Sequence, residues 1–139
     1  MRHKARISAP AALTGLVMLA GQAAAALPPL SAQKDINDSL FAVAMADHIR
    51  KTCASIDGRV IKALWQLNTL RVQATKLGYS ADEVRAYIKD PDEKAAMRAR
   101  GADYLKARGV RENDSAGICA LGHDEIAKGS PIGALLIAK

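Results

Sequence analysis

The chain has 139 residues, with 20 basic and 14 acidic side chains and a formal net charge of +6 at pH 7. Three of the basic residues lie in the first six positions, so the chain after residue 26 carries 17 basic and 14 acidic side chains, a net charge of +3. This mild and evenly interspersed charge argues against a nucleic-acid partner. The length supports one modest core, which must be mainly aliphatic because one Phe, one Trp and three Tyr are the only aromatic residues.

Residues 1–26 have the pattern of a cleaved secretory signal peptide. The segment has a positive start, an apolar stretch over residues 7–20, and then the small side chains that signal peptidase recognises. Its basic residues are Arg2, Lys4 and Arg6. The apolar stretch is shorter than the roughly 20 residues of a membrane span, and no later segment qualifies. We therefore expect a periplasmic or secreted protein with no membrane span after cleavage, in which residues 27–139 form a single helical domain.

The chain contains two cysteines, Cys53 and Cys119. Disulfides persist outside the cytoplasm, and an even cysteine count in an exported chain favours a structural bridge. A redox-active pair is the alternative, but the Cys-x-x-Cys spacing that lowers a thiol pKa is missing. The sequence therefore predicts one disulfide, which would close a loop across most of the domain.

The first two predicted helices follow a lead-in that contains two consecutive prolines, which a helix interior excludes. Helix one runs from about Ile36 to Thr52, and its apolar stripe is Phe41, Met45, Ile49 and Cys53. Helix two runs from about Asp57 to Gly78, where a glycine can end a helix in the left-handed conformation. Its predicted core-facing stripe comprises Val60, Leu64, Leu67, Leu70, Ala74 and Leu77, with Trp65 beside it.

The next two helices are predicted from their first residues. Ser80 and Glu83 have the spacing of a capping box, which predicts a short third helix. Asp90 followed by Pro91 predicts the start of a fourth, since aspartate caps the free amides and proline is tolerated at the first helical position. The fourth helix should end near Arg108, before Gly109.

A fifth helix is predicted after an Asn113–Ser115 cap and should end near Lys128. Ser130 and Pro131 then predict a last turn or short helix. Alternating β-branched runs are absent, so we predict no strand. The predicted fold is all-α, a small bundle of five to six helices with one disulfide.

Two sets of residues form a candidate interaction surface. The first is the apolar tail, which should pack either on the bundle formed by the first two helices or on a partner, because three aliphatic side chains would otherwise face water; these are Ile132, Leu135 and Leu136. The second is the basic pair Arg98 and Arg100 on helix four, which could meet an acidic partner or anionic lipid. A solvated amphipathic helix also explains that pair without a partner.

A metal site is an alternative for the histidines. His123 follows Cys119 by four residues and His48 precedes Cys53 by five, so two Cys and two His could form a tetrahedral zinc site. The spacing is poor, and export would oxidise the thiolates that zinc needs. Serine-hydrolase and metalloprotease motifs and phosphate-binding loops are absent. We therefore expect no cofactor, and the sequence gives no support for an enzyme.

Several stretches of the chain form recognisable motifs, namely Leu27-Pro-Pro-Leu, Ile36-Asn-Asp-Ser-Leu, Lys94-Ala-x-Met-Arg-Ala-Arg-Gly, and Cys119-Ala-Leu-Gly with the following Glu125-Ile-Ala-Lys-Gly-Ser. In these stretches the chain resembles an uncharacterised family of small exported alphaproteobacterial proteins, a domain of unknown function. The resemblance implies an exported helical fold with both cysteines. It brings no activity and therefore no catalytic residue.

Three hypotheses for function follow. The leading one is a periplasmic, non-enzymatic binding or protein-interaction module with a protein partner. The second is a disulfide-linked periplasmic stress chaperone, resembling the small acid-activated chaperones that are also short and helical. The third is a metal-binding or enzymatic protein that uses His48, His123 and the cysteines.

Overall fold

The computed structural model describes residues 26–139. The signal peptide prediction, apart from its last residue, lies outside this range. Within it the chain forms five α-helices, two short 3₁₀ turns and one two-stranded sheet. The helices are α1 (Lys34–Thr52), α2 (Val60–Lys76), α3 (Ala81–Lys89), α4 (Pro91–Lys106) and α5 (Ser115–Lys128). The strands are β1 (Ile56–Gly58) and β2 (Leu136–Ala138), and the 3₁₀ turns are Leu30–Ala32 and Gly133–Leu135.

The predicted helix boundaries are close to the observed ones because local caps determine them. Ser80 and Glu83 form the full capping box of α3, and Asp90 accepts hydrogen bonds from the amides of Asp92 and Glu93 at the start of α4. Asp114 caps α5 by accepting from the Gly117 amide at 2.9 Å. These side chains satisfy amides that have no partner within the helix. The all-α fold class with five helices is confirmed.

The two strands correct the prediction of a strand-free chain. β1 and β2 pair antiparallel, with Asp57 opposite Ile137. Pairing continues beyond the sheet, because the Arg59 amide donates to the Leu135 carbonyl at 2.8 Å and the Lys139 amide donates to the Ser55 carbonyl at 3.0 Å. The sheet holds residues 56–58 in extended conformation, so α2 begins at Val60 and not near Asp57 as predicted.

The main core lies between α1, α4, α5 and the C-terminal tail. All four residues of the predicted α1 stripe are buried in it. They meet Leu105 of α4 and Ile118 of α5, and Ile118 has no exposed surface. At Gly122 on α5 an added Cβ would lie 2.6 Å from side-chain carbons of both Ile49 and Ile56, so α5 approaches α1 and β1 closely. The main core is aliphatic, as the composition predicts.

A second, smaller core fixes the lead-in segment against α1, α2 and α3. Its buried members are Leu30, Ile36, Ala74, Tyr79 and Val84. The Tyr79 hydroxyl donates to the Pro28 carbonyl at 2.5 Å and accepts from Gln33 Nε2 at 2.8 Å. The proline-containing segment is therefore packed on the bundle, and the two buried residues of α2, Leu70 and Ala74, lie in its C-terminal half.

Candidate functional site

An apolar groove runs between α1 and the N-terminal half of α2, and we call it the α1–α2 groove. Its volume is about 360 Å³. Nine of its thirteen lining residues are apolar, one is glycine, and Asp47, Arg50 and Arg59 are charged. The apolar residues are Leu40, Val43, Ala44 and Ala46 of α1, Val60, Ala63, Leu64 and Leu67 of α2, and Leu135 of the tail.

The groove exists because the fold buries only part of the apolar stripe of α2. Leu70 and Ala74 are buried as predicted. Val60, Leu64, Leu67 and Leu77 were also predicted to face the core, but they are exposed, Leu64 at 58%. Helix α1 buries its stripe against α4 and α5. Strand β1 places the start of α2 at the edge of the bundle. The N-terminal half of α2 therefore has apolar side chains without a covering element.

The charged end of the groove is organised by ion pairs. Asp47 accepts from Arg50 Nη2 and from Lys51 Nζ, each at 2.6 Å. Partial burial opposes ionisation of this carboxyl, but the hydrogen bonds from Lys51 and Arg50 prevail and lower the pKa of Asp47. The Arg59 side chain is held in place because its Nε donates a hydrogen bond to the Leu136 carbonyl at 3.1 Å. The acid in the groove is thus neutralised, and the remaining charge at this end is positive.

The outer side of α2 presents a second apolar feature. Ile61 is 80% exposed and Trp65, the one tryptophan of the chain, is 71% exposed. Val72 lies on the same side of the helix, about three turns after Ile61 and two turns after Trp65, and is 42% exposed. Scattered exposed apolar residues are ordinary on protein surfaces, whereas two large ones one turn apart beside a groove form a candidate contact surface.

The tail residues of the candidate interaction surface lie in the core. Ile132, Leu135 and Leu136 are at most 5% exposed and contact α1 and α5 residues. Gly133 allows this packing, because an added Cβ would lie 1.8 Å from the Glu125 carbonyl oxygen. The tail therefore packs on the chain itself in this structure: Ile132 and Leu136 are covered, and Leu135, although 1% exposed, contributes to the lining of the α1–α2 groove.

The two arginines of the candidate surface have different surroundings. Arg100 is engaged within the protein, since Nη2 contacts Asp38 Oδ1 at 2.7 Å and the guanidinium lies 4.2 Å from the centre of the Phe41 ring. Arg98 lines a separate depression of about 250 Å³ together with His48 and Glu112. Arg100 is thus a contact between α4 and α1, while Arg98 stays available at the surface.

The disulfide is present, with Cα atoms of Cys53 and Cys119 5.1 Å apart. Ser55 Oγ lies 3.2 Å from Cys53 Sγ and 3.0 Å from His123 Nε2, so His123 belongs to a hydrogen-bonded group beside the bridge. Both sulfurs are bonded to each other, which removes the thiolates of the zinc alternative. Among residues 26–139 no group of three or more His, Cys, Asp or Glu side chains is arranged to hold a metal ion.

One buried polar group was not found from the sequence. Glu125 of α5 is 4% exposed, accepts from the Tyr104 hydroxyl at 2.5 Å and lies 3.7 Å from Arg108 Nε. Burial, the hydrogen bond to Glu125 and the charge of that carboxylate raise the pKa of Tyr104. Arg108 also lies 3.5 Å from the centre of the Tyr104 ring. The contacts join residues on two helices, so no local sequence pattern indicates them.

The fold and the groove describe a disulfide-linked helical protein with an apolar cleft along one helix. A family model described as a family of unknown function (DUF5333) matches residues 28–137. The chain belongs to this family. No curated protein and no solved structure matches the chain. In the described part of the chain, every helix is too short or too polar to cross a membrane.

Proposed function

We propose that the protein is an exported, non-enzymatic interaction module whose α1–α2 groove binds an apolar segment of a protein partner. One observation carries the proposal: a groove of about 360 Å³, walled by two helices, is lined mainly by aliphatic side chains. Grooves of this kind bind amphipathic helices through residues spaced along one face. The signal-peptide pattern and the disulfide support a periplasmic or secreted location for the binding event.

The non-enzymatic part of the proposal is based on the chemistry of the groove. Among the described residues its lining comprises aliphatic side chains, a glycine, two arginines and an aspartate that is held by two cations. An ionised, ion-paired carboxylate is a poor general base, because its lowered pKa weakens its affinity for a proton. The groove thus has the properties of a docking surface.

Photo-crosslinking from defined positions tests the groove directly. A photoreactive amino acid is placed at Val43 or Leu67 on the groove walls, and at exposed Ala96 on α4 as the control. The proposal predicts a discrete adduct in periplasmic extract from both groove positions and none from the control. Leu64→Asp should abolish the adduct from Val43, while Ile88→Asp, an equally exposed position on α3 (56% against 58%), should leave it intact. Adducts of equal yield at all three positions, or none at any, would contradict the proposal.

The chaperone hypothesis is the second candidate, and the exposed apolar side chains of α2 favour it. A chaperone that holds unfolded clients uses such surface without selecting one partner. It predicts that the oxidised protein suppresses aggregation of unrelated clients at low pH and that Leu64→Asp weakens this effect. A single discrete crosslinked partner without suppression of aggregation would favour the interaction module.

A further inference from the structure

The first two turns of α2, with Arg59 before them, form a surface patch beside the α1–α2 groove, with which it shares Arg59 and Val60. Arg59, Val60, Ile61, Lys62 and Trp65 line an open depression of about 560 Å³, and we call these five residues the N-terminal patch. Ile61 and Trp65 are the most exposed large apolar side chains among the described residues, at 80% and 71%. Their exposure makes the patch an open surface, whereas the α1–α2 groove is walled by two helices. A flat partner could therefore contact the patch.

The charge left unpaired around the patch is positive. Helix α2 contains Lys62, Arg71 and Lys76 and no acidic residue, and Arg59 directly precedes it. None of these four side chains forms an ion pair with an acid of residues 26–139. The nearest acid along the chain, Asp57, is 3.3 Å from Lys139 Nζ. The first turn of α2 has no side-chain cap, so the helix dipole adds to the positive potential.

We propose that the N-terminal patch docks the protein onto an anionic phospholipid surface. Ile61 and Trp65 enter the interfacial region of the bilayer, and Lys62 and Arg59 contact lipid phosphates. Tryptophan favours this region because its ring is apolar and its N–H is polar. Basic residues beside exposed apolar side chains are the composition of helices that bind anionic membranes. A second copy of the chain is a poor occupant, because it would bring the same positive charge to the interface.

The single tryptophan makes the test direct, since all tryptophan emission reports on Trp65. Oxidised protein recovered from the periplasm is titrated with vesicles of phosphatidylglycerol and phosphatidylcholine in equal parts, or of phosphatidylcholine alone. We expect a blue shift of the emission and protection from acrylamide quenching with the anionic vesicles, and neither change with the neutral ones. Polyglutamate supplies charge without an apolar phase and should give no blue shift.

Matched variants separate the patch from the overall charge. Lys62→Glu should weaken partitioning to anionic vesicles about tenfold, since each basic residue near such a surface contributes roughly 1 kcal/mol and reversal removes one and adds a repulsion. Lys106→Glu makes the same change in net charge on α4 and should alter partitioning less than about twofold. Ile61→Ser should weaken partitioning, while Ile88→Ser on α3 should not. All four positions are exposed, so the fold is retained.

Three results would overturn the membrane proposal. One is the absence of a Trp65 shift with anionic vesicles. Another is an equal shift with neutral vesicles, because then charge has no role. The third is equal weakening by Lys62→Glu and Lys106→Glu, which would assign binding to net charge. A Trp65 shift on addition of periplasmic protein but not of vesicles would indicate a protein partner at the patch. Each outcome is independent of crosslinking at the groove, whose failure would leave the membrane result unchanged.

Discussion

At the scale of single residues, close packing around the tail makes one glycine necessary. An alanine Cβ at Gly133 would lie 1.8 Å from a backbone oxygen of α5, and backbone atoms cannot move aside as a flexible side chain can. Gly101 of α4 is a matched case with space, because its nearest neighbour is the Met45 sulfur at 3.4 Å. The two positions therefore differ in the effect expected from the same substitution.

We predict that Gly133→Ala destabilises the protein by about 2 kcal/mol or more, because the tail must shift and the core below it opens. Gly101→Ala should be neutral or stabilising by up to about 1 kcal/mol, since alanine favours a helix interior over glycine. Denaturant unfolding of both variants measures the two free energies. Equal effects at the two positions would show that the close approach at Gly133 is absent.

The buried Tyr104–Glu125 pair predicts a dependence of stability on alkaline pH. The unfolded chain releases the tyrosine proton near pH 10, whereas the raised pKa of Tyr104 keeps the proton on the folded protein to higher pH. The unfolded state then binds fewer protons, so the free energy of unfolding falls as the pH rises above about 10. In Tyr104→Phe this decline should be shallower between pH 9 and 11.

The same variant has a cost at neutral pH. Loss of the hydroxyl leaves the buried Glu125 carboxylate without its closest donor, which should lower the free energy of unfolding by about 1–3 kcal/mol at pH 7. Tyr87→Phe is the control at pH 7 only, and it should cost less there because Tyr87 donates to the neutral amide oxygen of Asn37; burial raises the pKa of Tyr87 as well, so this variant does not control the alkaline slope. A pH slope identical to that of the unmodified protein would contradict the assignment to Tyr104.

At the scale of elements, the disulfide connects the end of α1 to the first turns of α5. It closes a loop with a sequence separation of 66, and the Cys53 side chain is 1% exposed. The pair of substitutions Cys53→Ala and Cys119→Ala should reduce stability by about 4 kcal/mol in the loop-entropy model. Thermal unfolding with and without reductant checks this value: the reductant should lower the melting temperature of the unmodified protein and leave the variant unchanged.

The C-terminal tail is an element of the core, although it contains only a 3₁₀ turn and a short strand. Truncation after Gly129 removes three buried aliphatic side chains and the partner strand of β1. Burial of these side chains contributes on the order of 5 kcal/mol before ordering costs are subtracted. We therefore predict a large drop in the melting temperature of the isolated monomer. An unchanged melting temperature would show that the tail does not pack in solution.

At the scale of the whole molecule, one measurement of intact mass tests both the proposed export and the disulfide. We predict that intact protein from a periplasmic fraction begins within residues 25–27 and is lighter than its reduced form by two hydrogens. Alkylation of the unreduced, denatured protein should add no label. A protein that retains Met1 would contradict the proposed location, and two labels would contradict the bridge.

Because the family has no known function, the proposals for function rest on the groove and the N-terminal patch. The groove and the N-terminal patch lie on adjoining sides of one helix, so the protein could bind a partner while α2 rests on a lipid surface. The family match covers residues 28–137 and therefore includes both features. Neither proposal requires the other, and their experiments use different positions and readouts.

The caps, the five helices, the α1 stripe and the pairing of two cysteines follow from the order of residues along the chain. These features depend on neighbouring residues or on a count: Ser80 caps its own helix, and Phe41, Met45 and Ile49 share a side at helical spacing. Such signals survive in any tertiary arrangement that buries α1. They account for the agreement in fold class and in the ends of most helices.

Which apolar helix sides are covered depends on contacts between residues that are distant along the chain. Periodicity placed Leu64 and Leu70 on one stripe of α2, but burial depends on what packs there, and only Leu70 met the core. Three-residue strands have too few positions to show a period, so the sequence pattern assigns Asp57 and Gly58 to the second helix although they belong to β1. Tyr104 and Glu125 meet across two helices. The α1–α2 groove has the same origin as these differences: α1 buries its stripe against α4 and α5, and much of α2 stays exposed to solvent.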